Sequence, residues 1–285
     1  LLQMDVEGDR FFYSTRWLGL NRNSRLPGID DRGANIKFWG VRFGSLRVGF
    51  QDALVYADRL FDLEYLASPV PGFFLQYVKV ATGNPWSEEG NDNSIMGLFA
   101  DYAERRFSVY GQLLIDDINA NAVLKPDSFQ NPSKVAWSLG GTMPTPAGVF
   151  GLYHAGATKY TFQPFGSGDV GTATDTKYGY TYYPAVEYSV DGELRVIPAE
   201  DNYIGYLHGE NNLAFMAIWK HTICPFRLSG AVEYMLTGSQ SPANPWHQYN
   251  SWTEGGSGTR FLDDERLESE LTLSGGASVP IGKWT

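Results

Sequence analysis

The side chains able to do chemistry are few here, and their spacing argues against most reactions. Asp116 and Asp117 invite comparison with the paired carboxylates of glycoside hydrolysis. Both lie in a strand-like run, and successive strand residues point to opposite faces, so the two cannot serve one substrate from one regular strand. A charged strand end is the simpler account. His154, His208, His221 and His247 are scattered without a His-Glu-x-x-His spacing, which predicts no metal site. Cys224 stands alone, which excludes an intrachain disulfide and a thiolate cluster. In Thr222-Ile223-Cys224-Pro225 it reads as a small filler near a turn, not a nucleophile. Gly166-Ser167-Gly168 lacks the lysine and the strand-to-helix setting of a phosphate loop. The expectation is a protein with no catalytic residue, no cofactor and no metal.

Binding side chains are better represented. Trp246, Tyr249 and Trp252 lie on the longest loop. Their rings suit stacking on sugars, with Gln248 and Asn250 beside them to bond hydroxyls. The alternative is a loop packed by its own aromatics. Arg105, Arg106 and Lys134 can pair with Asp116 or Asp117 across neighbouring strands as a self-satisfying network, or meet an acidic polysaccharide.

The elements positioning these residues are strands. In 226–236, Phe226, Leu228, Val232, Tyr234 and Leu236 alternate with Arg227, Ser229 and Glu233. The same period recurs in 10–17, 46–51, 133–143 and 269–281, and no stretch reads as a convincing amphipathic helix. About 11–13 strands follow. Residues 52–80 read as two pieces around a bend at Ser68-Pro69-Val70-Pro71-Gly72. Short turns at 44–45, 104–106, 144–148 and near 224 alternate with long loops near 21–33, 118–132, 163–177 and 238–267. That asymmetry, together with strands about 10 residues long, is the pattern of an outer-membrane barrel.

Composition agrees. Aromatics make up 15% of the 285 residues, including 17 Tyr and 8 Trp, as strands and interfacial girdles favour. A net charge of −10 argues against nucleic acid. No run approaches the roughly 20 apolar residues of a spanning helix. The start, Leu1-Leu2-Gln3-Met4-Asp5, reads as a strand without a signal peptide. Charges such as Arg227 with Glu233, or Glu268 with Glu270, would be costly in a dry core and cheap beside a hydrated lumen.

Several segments resemble one family. Asp92-Asn93 opens a strand that ends at Glu104-Arg105-Arg106, and the run from Tyr110 to Ile118 holds the Asp116-Asp117 pair. Asn131-Pro132-Ser133-Lys134, the Gly140-Gly141 strand, the segment 203–209 and the segment 275–284 follow in order. Together they resemble the Wzi-like capsule-assembly proteins of the bacterial outer membrane. The resemblance implies a non-enzymatic antiparallel transmembrane β-barrel that binds or tethers surface polysaccharide and contacts outer-membrane lipid. Residues 1–285 would then be one barrel domain. That family has more strands than are countable here and a small helical element with no evident counterpart, so the chain reads as a fragment or as a truncated barrel. Two other readings stay open: a porin-like channel for small solutes, and a soluble β-sandwich that binds or hydrolyses carbohydrate.

Overall fold

A computed structural model describes residues 1–22, 31–80, 92–117, 133–162, 186–197, 204–239 and 261–279. Among them, eleven strands form one antiparallel sheet: β1 (Leu2–Glu7), β2 (Phe11–Asn21), β3 (Arg32–Phe43), β4 (Leu46–Ala57), β5 (Asp92–Glu104), β6 (Phe107–Asp117), β7 (Lys134–Thr145), β8 (Gly148–Ala157), β11 (Asn212–Ile223), β12 (Phe226–Thr237) and β13 (Glu268–Ser278), side by side in that order. Strands β9 (Val186–Val190) and β10 (Glu193–Ile197) make a separate hairpin. The protein is all-β, with a large antiparallel sheet. The sheet does not close into a barrel among the described residues: β1 and β13 are its two edges.

Connection lengths alternate as the sequence suggests. The links at 8–10, 44–45, 105–106, 146–147 and 224–225 lie at one rim, and the long ones lie at the other. Gly44 turns β3 into β4 with a φ of 60°, a conformation open to a residue without a Cβ.

The register sorts side chains into two faces. Leu98 pairs with Leu113, Leu139 with His154, Phe215 with Tyr234, and Val232 with Leu273. This face is apolar, and it is exposed at Leu98, Leu139, Leu152, Phe215, Leu271 and Leu273, the last at 70%. The opposite face carries Arg42, Arg47, Asp101, Tyr110, Gln112, Ser138, Lys220, Arg227, Glu233 and Glu270. A sandwich would cover the apolar face with a second sheet. Among the described residues no sheet does so.

Two short helices correct the reading without helices. α1 (Leu63–Ala67) and α2 (Gly72–Val80) flank the Pro-rich bend. Asp62 caps α1, accepting from Tyr65 N at 3.1 Å. Asp52, on β4, accepts from Gly72 N at 2.6 Å and so satisfies an open donor at the start of α2. Neither helix carries a long amphipathic signature. α1 has five residues, and α2 is apolar on more than one side. Both lie on the apolar face, α1 beside β2 and α2 against β4 and β5.

Candidate functional site: the polar face and its cap

Near the long-loop rim the polar face turns apolar and is capped. Ala34, Val55, Ile95, Ala136 and Ala157 form a buried row across five strands, and Phe162, Ile204 and Tyr206 pack on it. Small residues in that row leave room for the rings. Asn212 holds the segment before it, donating from Nδ2 to the carbonyls of His208, Gly209 and Glu210 at 3.0, 2.7 and 3.1 Å. Tyr206 donates to Asn212 Oδ1 at 2.7 Å, and His208 Nε2 lies 2.9 Å from Glu233 Oε1 on β12. Burial, reinforced by the Glu233 charge, raises the Tyr206 hydroxyl above its ordinary range, so it remains a donor.

A second knot ties the loops at this rim. Asp264 accepts from Lys159 Nζ at 2.8 Å, Ser239 Oγ at 2.6 Å and Asn211 Nδ2 at 2.7 Å. Burial opposes its ionisation, but those three donors outweigh it and hold the carboxyl at about 2. With the Ser239 N–H, which donates at 3.2 Å, these donors fill its acceptor capacity, so the knot is a structural tie.

Below the cap the polar face pairs some of its charges. Arg42 meets Glu7 at 3.1 Å and Arg47 meets Asp101 at 2.8 Å. Tyr110 shares a hydrogen bond with Ser138 at 3.0 Å, and Ser108 with Thr142 at 2.8 Å. Two cations differ. Lys220 and Arg227 make no ion pair among the described residues. They are diagonal neighbours on the polar face, since Lys220 pairs with Ser229 and Thr222 with Arg227. With Thr222, Ser229, Gly276 and Ser278 they line a shallow groove at the short-turn end. Cations beside hydroxyls on a glycine-thinned floor suit an anionic polyhydroxyl ligand.

The residues expected from the sequence are divided. Lys134 Nζ lies 3.5 Å from Asp116 Oδ2, with both side chains buried, so this pair is internal to the sheet. A bulge between Ile115 and Asp117 breaks the register there, and Lys134 pairs with Asp117 along the backbone. Arg105 and Arg106 lie in the turn at the other end of β6, about 34 Å away for a strand of that length. The structure therefore does not bring them to Asp116, Asp117 or Lys134. Trp246, Tyr249 and Trp252 lie outside the described residues. Lys220 stands in β11, and nothing in its sequence spacing marks it as unpaired.

Beneath α1 and α2 lies a cluster that the sequence reading missed. Arg59 binds Asp62 at 2.8 Å and Asp92 at 2.7 Å, and Lys79 binds Asp62 at 2.7 Å. Tyr65 donates to Asp92, and its ring stacks on Tyr56 with centroids 5.7 Å apart. Lys79 sits 4.4 Å over the Tyr65 ring. Burial opposes the Asp62 charge, yet Lys79 and the Tyr65 N–H bring its carboxyl below the usual range. Burial likewise works against Arg59, but its two carboxylate partners raise it. These charges satisfy one another, so the cluster is a clamp and not an open site.

His154 shows how the apolar face treats a polar group. Trp137 Nε1 donates to His154 Nε2 at 2.9 Å, and His154 Nδ1 lies 3.0 Å from Ala214 O. Indole N–H only donates, so the neutral tautomer with its proton on Nδ1 satisfies both partners.

No family model, no curated protein and no solved structure matches this chain. Among the described residues, no group of acidic, histidine or cysteine side chains is arranged to hold a metal, and no helix is long and apolar enough to cross a membrane.

Proposed function

We propose that this chain is the sheet of an outer-membrane β-barrel of the Wzi-like capsule-assembly type, non-enzymatic, holding surface polysaccharide against its polar face. One observation carries the reading. A single sheet exposes large aliphatic side chains over most of one face, outside the part that α1 and α2 cover, while most of its exposed charged and hydroxyl side chains lie on the other. Hydrocarbon outside and water inside is the environment that stabilises both faces at once.

The cap supports holding over conduction. Phe162, Ile204 and Tyr206 fill the polar face near the long-loop rim, where an open channel would need water. Lys220 and Arg227 supply a cationic contact for an acidic glycan. Short turns face the periplasm in such barrels, so the groove addresses glycan beneath the cap and the long loops address it from outside.

The test is titration of the detergent-purified chain with acidic capsular polysaccharide. Expected is saturable, salt-sensitive binding that falls several-fold in Lys220→Glu with Arg227→Glu. Absence of saturable binding refutes the glycan reading. Large steady conductance steps in planar bilayers refute holding without transport.

A further inference from the structure

The helical pair sits on the wrong side of the sheet for a plug. Lys37 pairs with Asp52, Asp52 with Met96, Met96 with Ile115 and Ile115 with Val135. By that register the residues under α1 and α2 share a face with Leu98, Leu113, Leu139 and Leu152. Yet under the helices this face carries buried polar groups beside Leu54 and Tyr56: Thr15, Asn35, Lys37, Asp52 and Ser94 point into it. Lys37 donates to Val70 O at 2.7 Å, Ser94 to Asp52 at 2.8 Å, and Trp39 Nε1 to Pro69 O at 3.1 Å. The cover consumes the polar groups of the sheet.

The outer surface of that cover is apolar. Phe61, Leu63, Val70, Phe74 and Val78 are exposed at 42, 65, 41, 56 and 48%. Phe74 and Val78 are one turn apart on α2, so they share a side. Three charges of the segment point the other way: Asp62 and Lys79 are buried, and Arg59 turns its guanidinium over Tyr56 at 4.6 Å; Glu64, at the edge of α1, is exposed. Tyr65 and Leu75 also pack inward, on Leu54, Tyr56 and Trp17, so the cover is apolar on both sides, whereas a soluble helix keeps one apolar stripe inward and its charges outward.

We propose that α1 and α2 form a lipid-facing collar, whose Phe74–Val78 side lies in the acyl-chain region of the leaflet next to the long-loop rim. The proposal rests on the barrel reading and extends it, since it names what the helices touch. Water would need no cover over Asn35, Lys37 and Asp52. Hydrocarbon does, because each polar group left open to it costs several kcal/mol. The collar restores an apolar exterior where the sheet is polar, and its position is continuous with the exposed aliphatic face.

Nitroxide labels test it, in the full chain carrying Cys224→Ser and reconstituted into phosphatidylcholine vesicles. Labels replace Phe74 or Val78, with Leu273 and Thr272 as references for the apolar and polar faces. Collision with oxygen and with a water-soluble nickel chelate is read by power saturation. Expected at 74 and 78 is the Leu273 signature: high oxygen collision and nickel collision reduced several-fold relative to Thr272. Lipid contact at 273 with nickel access at 74 and 78 overturns the collar and leaves the barrel standing. Lipid contact at 273 with both reagents excluded at 74 and 78 also overturns it, in favour of a protein partner. Nickel access at 273 overturns the barrel reading, and the collar with it.

Discussion

Asp62 is the residue on which the helical cover depends, and its removal gives a measurable opening. It caps α1 through Tyr65 N and receives both Lys79 and Arg59. In Asp62→Ala, Lys79 loses its 2.7 Å partner and keeps Glu64, 3.4 Å away at the exposed edge, and Arg59 keeps Asp92. Breaking a buried ion pair from one side costs about 3–5 kcal/mol, and losing the cap costs about 1 kcal/mol. The terms overlap, so about 3 kcal/mol is a fair lower value for undocking the helices. That corresponds to a rise of roughly 150-fold in the open population, at about 1.4 kcal/mol per tenfold. Trypsin reads it directly, because Arg59 and Lys79 are themselves cleavage sites on either side of α1 and most of α2. Cleavage after both should accelerate on the order of 100-fold when reclosing outpaces cutting. Asp62→Asn keeps the cap and loses the charge, so its cleavage should be roughly five-fold slower than that of Asp62→Ala, the worth of about 1 kcal/mol. Wild-type cleavage rates in both variants would refute the clamp, and identical acceleration in both would remove the cap from the account.

Three further outcomes follow from other parts of the molecule. Asp264, held at about 2 by Lys159, Ser239 and Asn211, stabilises the rim knot fully above its unfolded value of about 4; the contribution is lost as pH falls through about 2. Solvent screening limits it to about 1 kcal/mol, and Asp264→Asn should abolish this acid dependence of amide protection around residue 262. Leu273→Arg should cost about 2–4 kcal/mol in folding into vesicles, as on a lipid-facing strand at mid-depth, while Thr272→Arg next to it should cost under 1 kcal/mol; equal costs in urea titrations would contradict the assignment of faces. Gly40 forms the floor beneath the Phe12 ring, and a Cβ there would lie 2.2 Å from that ring. Gly40→Ala should therefore destabilise by about 1–3 kcal/mol, and the double variant with Phe12→Ala should be less destabilised than the two single costs summed.

Much of the fold is legible in the sequence because a strand has a period of two. The alternation in 226–236 marks both the element and its faces, and β12 keeps that division. Glycine and proline mark the turns at 44–45 and 146–147. The run 149–162 reads as one strand but stops at Ala157, because Thr158 and Thr161 hydrogen bond each other and the Val135 carbonyl and fold the chain into the cap. The helices escape notice for a different reason. Five residues give too little periodicity, and nine residues that are apolar on more than one side give no single stripe.

By itself the sequence determined which side chains share a face and where the chain reverses. Those properties are local, set by neighbouring dihedrals. The tertiary structure decided which polar residues meet. Lys79 reaches Asp62 and Arg59 reaches Asp92 only because the bend lays α1 beside β2 and α2 across β4 and β5. Asp116 is matched by Lys134 and not by Arg105 because a strand sets its two ends about 34 Å apart. A strand period records the side on which a residue lies. What covers that side depends on packing between segments remote in sequence, and that is where the clamp, the cap and the unpaired cations of the groove arise.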